Sequence, residues 1–344
     1  MASKTSIEWT ATVHADGTVT PGATWSPIRF RVKQDAAQIA RAKGYTSLVQ
    51  IAEKMAGHVG PHCEHTSPGC ERCYSDTNNH RCLPSNGTGL PFDRRSRDLV
   101  DIFLDEKILL QPLKWRTPRK IFPANQTDWA ADFVPDEMMD RMLAVAALTP
   151  WNTYQFLTKR AARLPAYFLD DQESPYYRTC TRVENVARLI ACELGLDQDQ
   201  SMGDWPLENC QIGFSAEDQP NFDARWQHMR KLAAAGWFVW CSYEPALGPV
   251  DVSAALKSGL RWLVVGGESG PGARPFDIEW ARQTIRQCKA AGVACFVKQL
   301  GAKPMYPRNT ILHPPQSRIF LLHDKKGGDW DEWNEDLRVR EFPT

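Results

Sequence analysis

Cys63, Cys70 and Cys73 lie close together in the chain, with six residues between the first two and two residues between the last two. Thiolate sulfur is the ligand that soft metals and iron–sulfur clusters prefer. Three thiolates without an obvious fourth leave one position of such a centre open. The spacing therefore predicts a metal centre that can bind a substrate or a cofactor directly.

A structural zinc site is the alternative interpretation of the same cysteines. Cys70 and Cys73 form a Cys-x-x-Cys pair, which is one half of many zinc-binding knuckles. The remaining zinc ligands would come from His58, His62, His65 or Cys82. A zinc knuckle usually brings a second tight pair, which this chain lacks, and spacing alone leaves zinc and iron–sulfur equally open.

Seven short apolar segments, rich in β-branched and aromatic residues, alternate with helical patterns along most of the chain. They are residues 23–28, 119–123, 153–157, 210–214, 237–241, 262–266 and 294–298. Their length and composition are typical of strands buried on both faces of a parallel sheet. A repeating β-then-α order implies right-handed crossovers. The sequence therefore predicts an α/β fold, either a full or partial (β/α) barrel or, as the second choice, a doubly wound open sheet.

Helical patterns separate the predicted strands. Residues 223–235 and 278–291 place apolar side chains on one face, and each pattern stops at a glycine, as helices commonly do. A helical insertion is predicted before the first cysteine. We therefore expect one domain over residues 1–344, with insertions at about 30–62 and 167–209 and a C-terminal extension at about 302–344.

Polar side chains follow six of the predicted strands at the point where each strand ends. They are residues 125–128, 158–160, 215–218, 242–245, 266–270 and 298–299. In barrels and in open parallel sheets, the carboxyl ends of the strands carry the functional residues. One such cluster would be routine helix capping. Six of them predict a pocket for a polar, charged ligand.

Two kinds of residue in these clusters carry specific expectations. Gly266 and Gly267 allow close approach of the backbone, and Glu268 can accept hydrogen bonds from an ammonium or hydroxyl group of a ligand; a tight turn with a capping acid is the alternative. The cations Lys159, Arg160 and Lys298 favour a carboxylate or phosphate ligand. Ion pairs are an equal alternative for these cations, with Asp128, Glu217, Glu244 or Glu268 as the partner.

The composition is that of an ordinary soluble globular protein. Lys and Arg together number 41, as do Asp and Glu, so net charge gives no argument for nucleic-acid binding. A signal-peptide core and a membrane-spanning stretch of about 20 apolar residues are both absent, which predicts a cytoplasmic protein without a membrane partner. A local basic region beside Trp115 is interpreted as a solvated face rather than a nucleic-acid surface; it comprises Arg94, Arg95, Arg97, Arg116, Arg119 and Lys120.

The chain resembles the radical SAM superfamily. It is most similar to a phage- and prokaryote-associated family of three-cysteine radical-SAM-like proteins that is related to spore photoproduct lyase. The motifs that carry this resemblance are Ile7-Glu-Trp-Thr10, Thr24-Trp-Ser-Pro27, Ser67-Pro-Gly-Cys-Glu-Arg-Cys-Tyr74, Trp115-Arg-Thr-Pro-Arg-Lys-Ile-Phe122, Asp128 with Val134-Pro-Asp136, Phe156-Leu-Thr-Lys-Arg160, Gly213-Phe-Ser-Ala-Glu217, Glu244-Pro-Ala-Leu-Gly-Pro249, Val265-Gly-Gly-Glu-Ser-Gly270, Phe296-Val-Lys-Gln299 and Asp336-Leu-Arg-Val-Arg340. The chain differs from the common superfamily pattern in having six residues, rather than three, between its first two cysteines.

This resemblance implies a radical SAM enzyme with a TIM barrel-like fold and a [4Fe-4S] cluster bound by Cys63, Cys70 and Cys73. S-adenosylmethionine would bind the open iron, and its cleavage would give a 5′-deoxyadenosyl radical that abstracts hydrogen from a substrate. The residues implied in cofactor binding are Tyr74, Ser215, Glu217, Gly266, Gly267 and Glu268. Those expected to bind the substrate are Asp128, Lys159, Arg160, Glu244 and Lys298.

The resemblance also implies partners. Flavodoxin or ferredoxin would donate the electron, and the substrate would be a nucleobase, a nucleotide or a nucleic acid, in DNA modification or repair. Two other hypotheses remain. One is a zinc-stabilised nucleic-acid-binding module without catalysis, and the other is a cluster that serves only a structural or redox role.

Overall fold

The computed structural model describes residues 3–5, 7–13, 18–81, 87–169, 178–196, 204–306 and 322–343. The strands are β1 (Ser3–Lys4), β2 (Thr12–Val13), β3 (Val19–Thr20), β4 (Ala23–Trp25), β5 (Ile28–Val32), β6 (Val59–Gly60), β7 (Val100–Leu104), β8 (Lys120–Pro123), β9 (Thr153–Thr158), β10 (Cys210–Ser215), β11 (Phe238–Tyr243), β12 (Leu260–Gly266), β13 (Phe276–Asp277), β14 (Ala294–Gln299) and β15 (Pro304–Met305). The helices are α1 (Ala36–Ala42), α2 (Val49–Met55), α3 (Tyr74–His80), α4 (Arg94–Arg97), α5 (Glu106–Leu109), α6 (Asp136–Ala147), α7 (Leu164–Phe168), α8 (Thr179–Leu194), α9 (Gln219–Ala234), α10 (Ser253–Lys257) and α11 (Ile278–Ala291).

The chain packs as two compact units. The first comprises residues 1–6, 10–156 and 170–210, and the second comprises residues 7–9, 157–169 and 211–344. Each unit contains parallel strands together with helices, which confirms the predicted mixed α/β class. All seven predicted strands are present, as β4, β8, β9, β10, β11, β12 and β14. The expectation of a single domain stays a prediction.

The parallel strands of the first unit are β4, β8 and the first residues of β9. Trp25 lies opposite Pro123, and Ile121 lies opposite Tyr154. The side chains of Trp25, Ile121 and Tyr154 have no exposed surface, as expected for strands that are covered on both faces. Because parallel strands end at the same edge of a sheet, the residues that follow Trp25 and Pro123 are neighbours.

A second sheet of the first unit is antiparallel and has the strand order β6-β5-β7. It occupies part of the segment 30–62 that the sequence predicted as a helical insertion, together with α1 and α2. In β5, Ile28, Phe30 and Val32 are buried while the two arginines between them are not. This two-residue period is the ordinary sequence signal of a strand that is buried on one face, and the helical prediction overlooked it.

The second unit has the parallel strands β10, β11, β12 and β14. Trp240 and Trp262 face each other across β11 and β12, and their ring centroids are 5.2 Å apart. The ring of Trp9 lies 5.1 Å from that of Trp240 and 6.3 Å from that of Trp262. Tryptophan therefore fills the core of this unit, as aromatic side chains of this size commonly do.

The long helices of the second unit are α9 and α11. The Asp218 carboxylate accepts a hydrogen bond from the Asn221 backbone N–H and caps α9. At the other helix, Gly292 ends α11 in the left-handed conformation, with φ 67°. None of the helices that the structure describes has the length and apolar character that a membrane span needs.

The C-terminal residues 322–343 pack onto the second unit. The Val297 N–H donates to the Val339 carbonyl at 2.8 Å, and the Glu341 N–H donates to the Cys295 carbonyl at 2.8 Å. Trp333 and Leu337 are buried. Within the predicted insertion at 167–209 and the predicted extension at 302–344, residues 170–177, 197–203, 307–321 and 344 lie outside the described residues.

Candidate functional site

The cysteine loop, defined as residues 61–73, connects β6 to α3 in the first unit. Its second cysteine, Cys70, ends a short 3-10 helix and is buried, and Cys63 and Cys73 are half-buried. The Cys70 N–H donates to the Ser67 carbonyl at 2.9 Å, and the Cys73 N–H donates to the Cys70 carbonyl at 3.1 Å. These two turns bring Cys73 to the position immediately before α3.

Two hydrogen bonds hold the start of α3 at the carboxyl end of β8, and a third joins the residues that follow β4 and β8. The Tyr74 hydroxyl donates to the Asn125 carbonyl at 2.5 Å, and the Ser75 hydroxyl donates to the Gln126 carbonyl at 3.2 Å. The Ser26 hydroxyl donates to Asn125 Oδ1 at 2.7 Å. Since Ser26 follows β4 and Asn125 follows β8, the last cysteine of the loop lies beside the edge where ligands bind in parallel α/β folds.

The cysteine loop has the donor chemistry of a soft-metal or cluster site. None of the described cysteines forms a disulfide bond. Thiols of this kind suit iron–sulfur clusters and zinc alike. Among the residues that the structure describes, no three His, Cys, Asp or Glu side chains are arranged to hold a metal ion. The three thiols are therefore chemically suited to an iron–sulfur cluster or zinc, and the side chains of Cys63, Cys70 and Cys73 would have to move together to bind it.

The histidines named for a zinc site have other surroundings. The ring of His62 is fully buried and lies 5.3 Å from that of Phe30 and 5.9 Å from that of Phe92. His65 Nε2 lies 3.2 Å from Asp76 Oδ2. His58 is exposed, and Cys82 lies outside the described residues. None of the three histidines is arranged with the cysteines as a metal site.

An ion pair braces the cysteine loop next to Cys63. Arg97 donates to both carboxylate oxygens of Glu64, at 2.5 and 2.8 Å, and also contacts Asp132 at 3.2 Å. Burial alone would raise the pKa of Glu64, but the proximity of His62 and the hydrogen bonds from Arg97 lower it to about 2. Arg95 likewise pairs with Asp93. These two members of the predicted basic region are thus bound to carboxylates.

Asp128 is the predicted substrate residue that lies in the first unit. It follows β8, is mostly buried, and accepts a hydrogen bond from the Ala130 N–H at 3.1 Å. This contact shapes the turn after Asn125 and Gln126. The structure thus places Asp128 at the same edge of the sheet as the start of α3.

In the second unit, a fully buried carboxylate joins two cations. Glu217 Oε1 lies 2.8 Å from Lys159 Nζ, and Glu217 Oε2 lies 2.9 Å from Arg225 Nη1. The same Arg225 nitrogen donates to the Ser215 carbonyl at 2.7 Å. Glu217 is therefore held rigidly, and the ion pair that the sequence left open for Lys159 is formed.

A second ion pair crosses β12 at its carboxyl end. Lys298 Nζ lies 3.0 Å from Glu244 Oε1, and the Ser242 hydroxyl donates to Glu244 Oε2 at 3.1 Å. Gly266 lies between them, and a Cβ atom at Gly266 would stand 2.9 Å from Glu244 Oε1. The absence of a side chain at Gly266 therefore gives this pair its room.

A third carboxylate, Glu268, is paired with Arg274. The Arg274 side chain donates to Glu268 Oε1 at 2.6 Å and to Glu268 Oε2 at 3.0 Å, and its backbone N–H donates to Oε2 at 2.9 Å. Glu268 is nearly buried. It therefore closes the turn after β12 and keeps a fixed position near Gly267.

The two glycines at the end of β12 differ in their surroundings, and their alanine variants are expected to differ in stability. A Cβ atom on Gly267 would lie 2.5 Å from the Leu300 carbonyl oxygen. One on Gly266 would have as its nearest neighbour Glu244 Oε1, the end of a side chain, at 2.9 Å, with the Gln299 carbonyl oxygen further away at 3.3 Å. Overpacking against backbone costs about 1–3 kcal/mol. We expect a loss of this size in the free energy of unfolding for Gly267→Ala and a smaller loss for Gly266→Ala, measured by urea unfolding. Equal losses of stability in the two variants would contradict the proposed difference between the surroundings of Gly266 and Gly267.

Sequence reasoning missed the partners that fix these carboxylates. Arg225 lies on α9, eight residues beyond Glu217, and Arg274 lies six residues beyond Glu268. An arginine in the second turn of the helix after a strand-end acid is a signal that could have identified Arg225. For Arg160, the structure shows its backbone N–H donating to the Thr158 hydroxyl at 2.8 Å, which places it at the turn after β9.

Comparison with known proteins gives one family. The profile of a family described as "Protein of unknown function (DUF5131)" matches residues 54–327, which include the cysteine loop and most of the second unit. No curated protein and no solved structure matches the chain.

Proposed function

Because the chain belongs to the DUF5131 family, whose description assigns no activity, we propose its function from the site itself. It is a radical SAM enzyme in which Cys63, Cys70 and Cys73 hold a [4Fe-4S] cluster and leave one iron open for S-adenosylmethionine. The finer fold that goes with this proposal is a full or partial (β/α) barrel of radical SAM type. The reducing cytoplasm is the proposed location, since it keeps the cysteines as thiols.

The observation that carries the proposal is the position of the cysteine loop. Hydrogen bonds from Tyr74 and Ser75 fix the start of α3 to the residues after β8, so the loop ends at the carboxyl edge of parallel strands. Catalytic groups in barrels and open α/β sheets lie at this edge. A zinc knuckle that only stabilises the fold would have no need of this position.

Cys63, Cys70 and Cys73 would hold the cluster, which would supply one-electron reductive cleavage of S-adenosylmethionine to methionine and a 5′-deoxyadenosyl radical able to abstract hydrogen from a substrate. The chain's own residues bind and orient the ligands. Tyr74 lies next to Cys73, and its hydroxyl is fixed by Asn125, so it can border the bound cofactor. Glu268, beside Gly266 and Gly267, is proposed to accept hydrogen bonds from ammonium or ribose hydroxyl groups. Glu217 has no exposed surface, and its proposed part beside Ser215 is to hold Lys159 in position.

The cations after the strands are proposed to bind the substrate. Lys159 and Lys298 are each paired with one carboxylate and keep about a fifth of their side-chain surface exposed, at 19% and 22%. An ammonium group has three donors, so Lys298 can add a phosphate or carboxylate oxygen without leaving Glu244. Together with Arg160 and Glu244 of the same unit, these lysines suit a nucleobase, a nucleotide or a nucleic acid, in DNA modification or repair. Asp128 of the first unit stays a predicted substrate residue.

Cleavage of S-adenosylmethionine consumes one electron, for which the proposed donor is flavodoxin or ferredoxin. The decisive experiment is anaerobic reconstitution with iron and sulfide, followed by reduction with dithionite in the presence of S-adenosylmethionine. We expect bound iron and sulfide, and formation of 5′-deoxyadenosine. Protein that takes up neither element would overturn the proposal.

Two other outcomes of this experiment identify the competing hypotheses. Protein purified with zinc and without iron would indicate the zinc-stabilised, non-catalytic nucleic-acid-binding module. A bound cluster without any 5′-deoxyadenosine would indicate a cluster with a structural or redox role only. Either result would overturn the radical SAM assignment.

A further inference from the structure

A surface of the first unit combines tryptophan with arginine and lysine, far along the chain from the cysteine loop. It consists of Lys114, Trp115, Arg116, Arg119 and Trp151, and is called here the Trp–Arg surface. Its residues come before β8 and β9, whose first residues are Lys120 and Thr153. The surface therefore lies at the amino ends of these strands, whereas Asn125 and the start of α3 lie at the carboxyl end of β8.

Hydrogen bonds between the two segments give the Trp–Arg surface a fixed shape. The Trp151 indole N–H donates to the Trp115 carbonyl at 3.1 Å. The Arg119 N–H donates to Asn152 Oδ1 at 3.0 Å, and the Thr153 N–H donates to the Arg119 carbonyl at 2.8 Å. A partner that binds here therefore meets side chains whose backbone is already ordered, which lowers the entropic cost of binding.

Among the residues that the structure describes, the cations of the Trp–Arg surface have no acidic partner. No ion pair within the described part of the chain involves Lys114, Arg116 or Arg119, in contrast to Arg95 and Arg97 of the same basic region. The Arg119 guanidinium lies 4.9 Å from the ring centroid of Trp115, and Lys114 and Arg116 are exposed. Since no acid in the described ranges pairs with them, these cations are proposed to be available to an anionic partner.

Trp151 is the aromatic member that presents its ring to solvent. It is 38% exposed, although large aromatic side chains are usually buried. Its indole N–H is already bonded, so what remains to offer a partner is the flat face of the ring. A partly exposed indole beside cations that pair with no acid in the described ranges is a combination suited to stacking a base and contacting the adjoining phosphates.

We propose that the Trp–Arg surface binds single-stranded nucleic acid, with a base stacked on Trp151 and backbone phosphates held by Arg116, Arg119 and Lys114. A duplex fits less well, because its stacked bases cannot reach an indole face. An acidic peptide would use the cations and leave the ring without a role. This binding does not depend on a cluster or on the proposed activity, because the surface lies at the other end of the strands from Tyr74.

Lys120 is not part of this surface. Its ammonium group donates to the Ala11 carbonyl at 3.1 Å, and burial lowers its pKa to about 8. The basic region of the sequence is thus divided by the structure: Arg95 and Arg97 pair with acids, Lys120 is partly buried, and Arg116 and Arg119 remain for a partner.

The test measures fluorescence anisotropy of a labelled oligothymidylate with the full chain, purified without added iron or sulfide. We expect Trp151→Ala to weaken binding by roughly 5- to 150-fold, since stacking of one base contributes about 1–3 kcal/mol. Trp151→Phe should recover most of the affinity, because it keeps an aromatic face. Arg119→Gln should reduce the slope of log affinity against log salt by about 0.7, as expected for one phosphate contact to a single strand.

The chain offers matched controls. Arg261→Gln removes a guanidinium that lies 5.0 Å from the Phe238 ring centroid, the same arrangement as Arg119 over Trp115, and should leave binding unchanged. Leu189→Ala removes an exposed apolar side chain elsewhere and should also have no effect on binding.

Arg116→Gln is a test variant of the Trp–Arg surface and not a control. It changes an exposed side chain with little risk to folding, which circular dichroism would check.

Three results would overturn this proposal. The first is wild-type affinity that Trp151→Ala and Arg116→Gln both leave unchanged. The second is equal loss of affinity in Trp151→Ala and Trp151→Phe, since stacking would then play no part. The third is competition by polyglutamate at the same charge concentration as effectively as by unlabelled oligothymidylate, which would assign the surface to acidic peptides.

Discussion

The Cys70→Ser substitution will abolish incorporation of iron and sulfide into the reconstituted protein, and with it the formation of 5′-deoxyadenosine. Cys70 is the buried member of the three cysteines, held in a turn by its hydrogen bond to Ser67. A serine hydroxyl is close in size to the thiol but is a poor ligand for iron in a cluster. Cys63→Ser and Cys73→Ser are expected to have the same effect, with iron and sulfide measured by chemical assay.

Cys192→Ser is the matched control for these variants. Cys192 is an exposed cysteine on α8, away from the cysteine loop in the chain, and its replacement should leave iron, sulfide and activity at the wild-type level. Circular dichroism of every variant would check folding. Full iron and sulfide content in Cys70→Ser would show that the cluster is not held by this loop.

Leucine at Glu217 will destabilise the protein by about 3–5 kcal/mol, the usual cost of removing one partner from a buried ion pair. The variant leaves the cations of Lys159 and Arg225 without their shared carboxylate, in a site where Glu217 has no exposed surface. Unfolding in urea, followed by tryptophan fluorescence, measures the loss. Protein that is only partly folded at zero denaturant would represent the upper end of this range.

Glu184→Leu is the control for the Glu217 variant. Glu184 pairs with Arg188 one helical turn away on α8, and both side chains are about half exposed, at 46% and 59%. Exposed pairs of this kind contribute at most about 0.5 kcal/mol. In addition, Arg225→Met in the Glu217→Leu background should recover part of the stability, because it removes one of the two unpaired charges. Equal losses in Glu217→Leu and Glu184→Leu would contradict the role assigned to Glu217.

The strands and long helices follow from local patterns in the sequence. Strand β14 is one continuous apolar run, predicted at 294–298 and observed at Ala294–Gln299. Helix α11 is bounded by the Asp277 cap and by Gly292, and is observed at Ile278–Ala291 as predicted. Such features depend on residues close in sequence, and this is why the chain alone predicts them.

The partners of the strand-end residues depend on which strands are neighbours. Lys159 pairs with Glu217, 58 residues further along, and Lys298 pairs with Glu244 across β12. The sequence predicted that such pairs were possible but offered four acids for three cations. The choice among them follows from strand order and from the space at Gly266, which only the folded sheet determines.

The sulfur positions in the cysteine loop are the feature that residue spacing predicts least. Spacing predicts three thiols that share a site, whereas in the described residues no set of donors is arranged to hold a metal. The path of a loop depends on its contacts, such as that of Glu64 with Arg97. Residues 61–73 lack the regular spacing of apolar side chains that predicts contacts in strands and helices.

The C-terminal segment has a consequence for the solution behaviour of the protein. Strand β14 ends the row of parallel strands in the second unit, so its outer N–H and C=O groups would template pairing with another molecule. Val339 and Glu341 satisfy those groups instead, and the Trp262 indole N–H donates to the Glu341 carbonyl at 3.0 Å. Residues 339–341 thus cover the outer edge of β14. Substitutions that displace them would expose this edge and favour self-association and aggregation before they affected the cysteine loop.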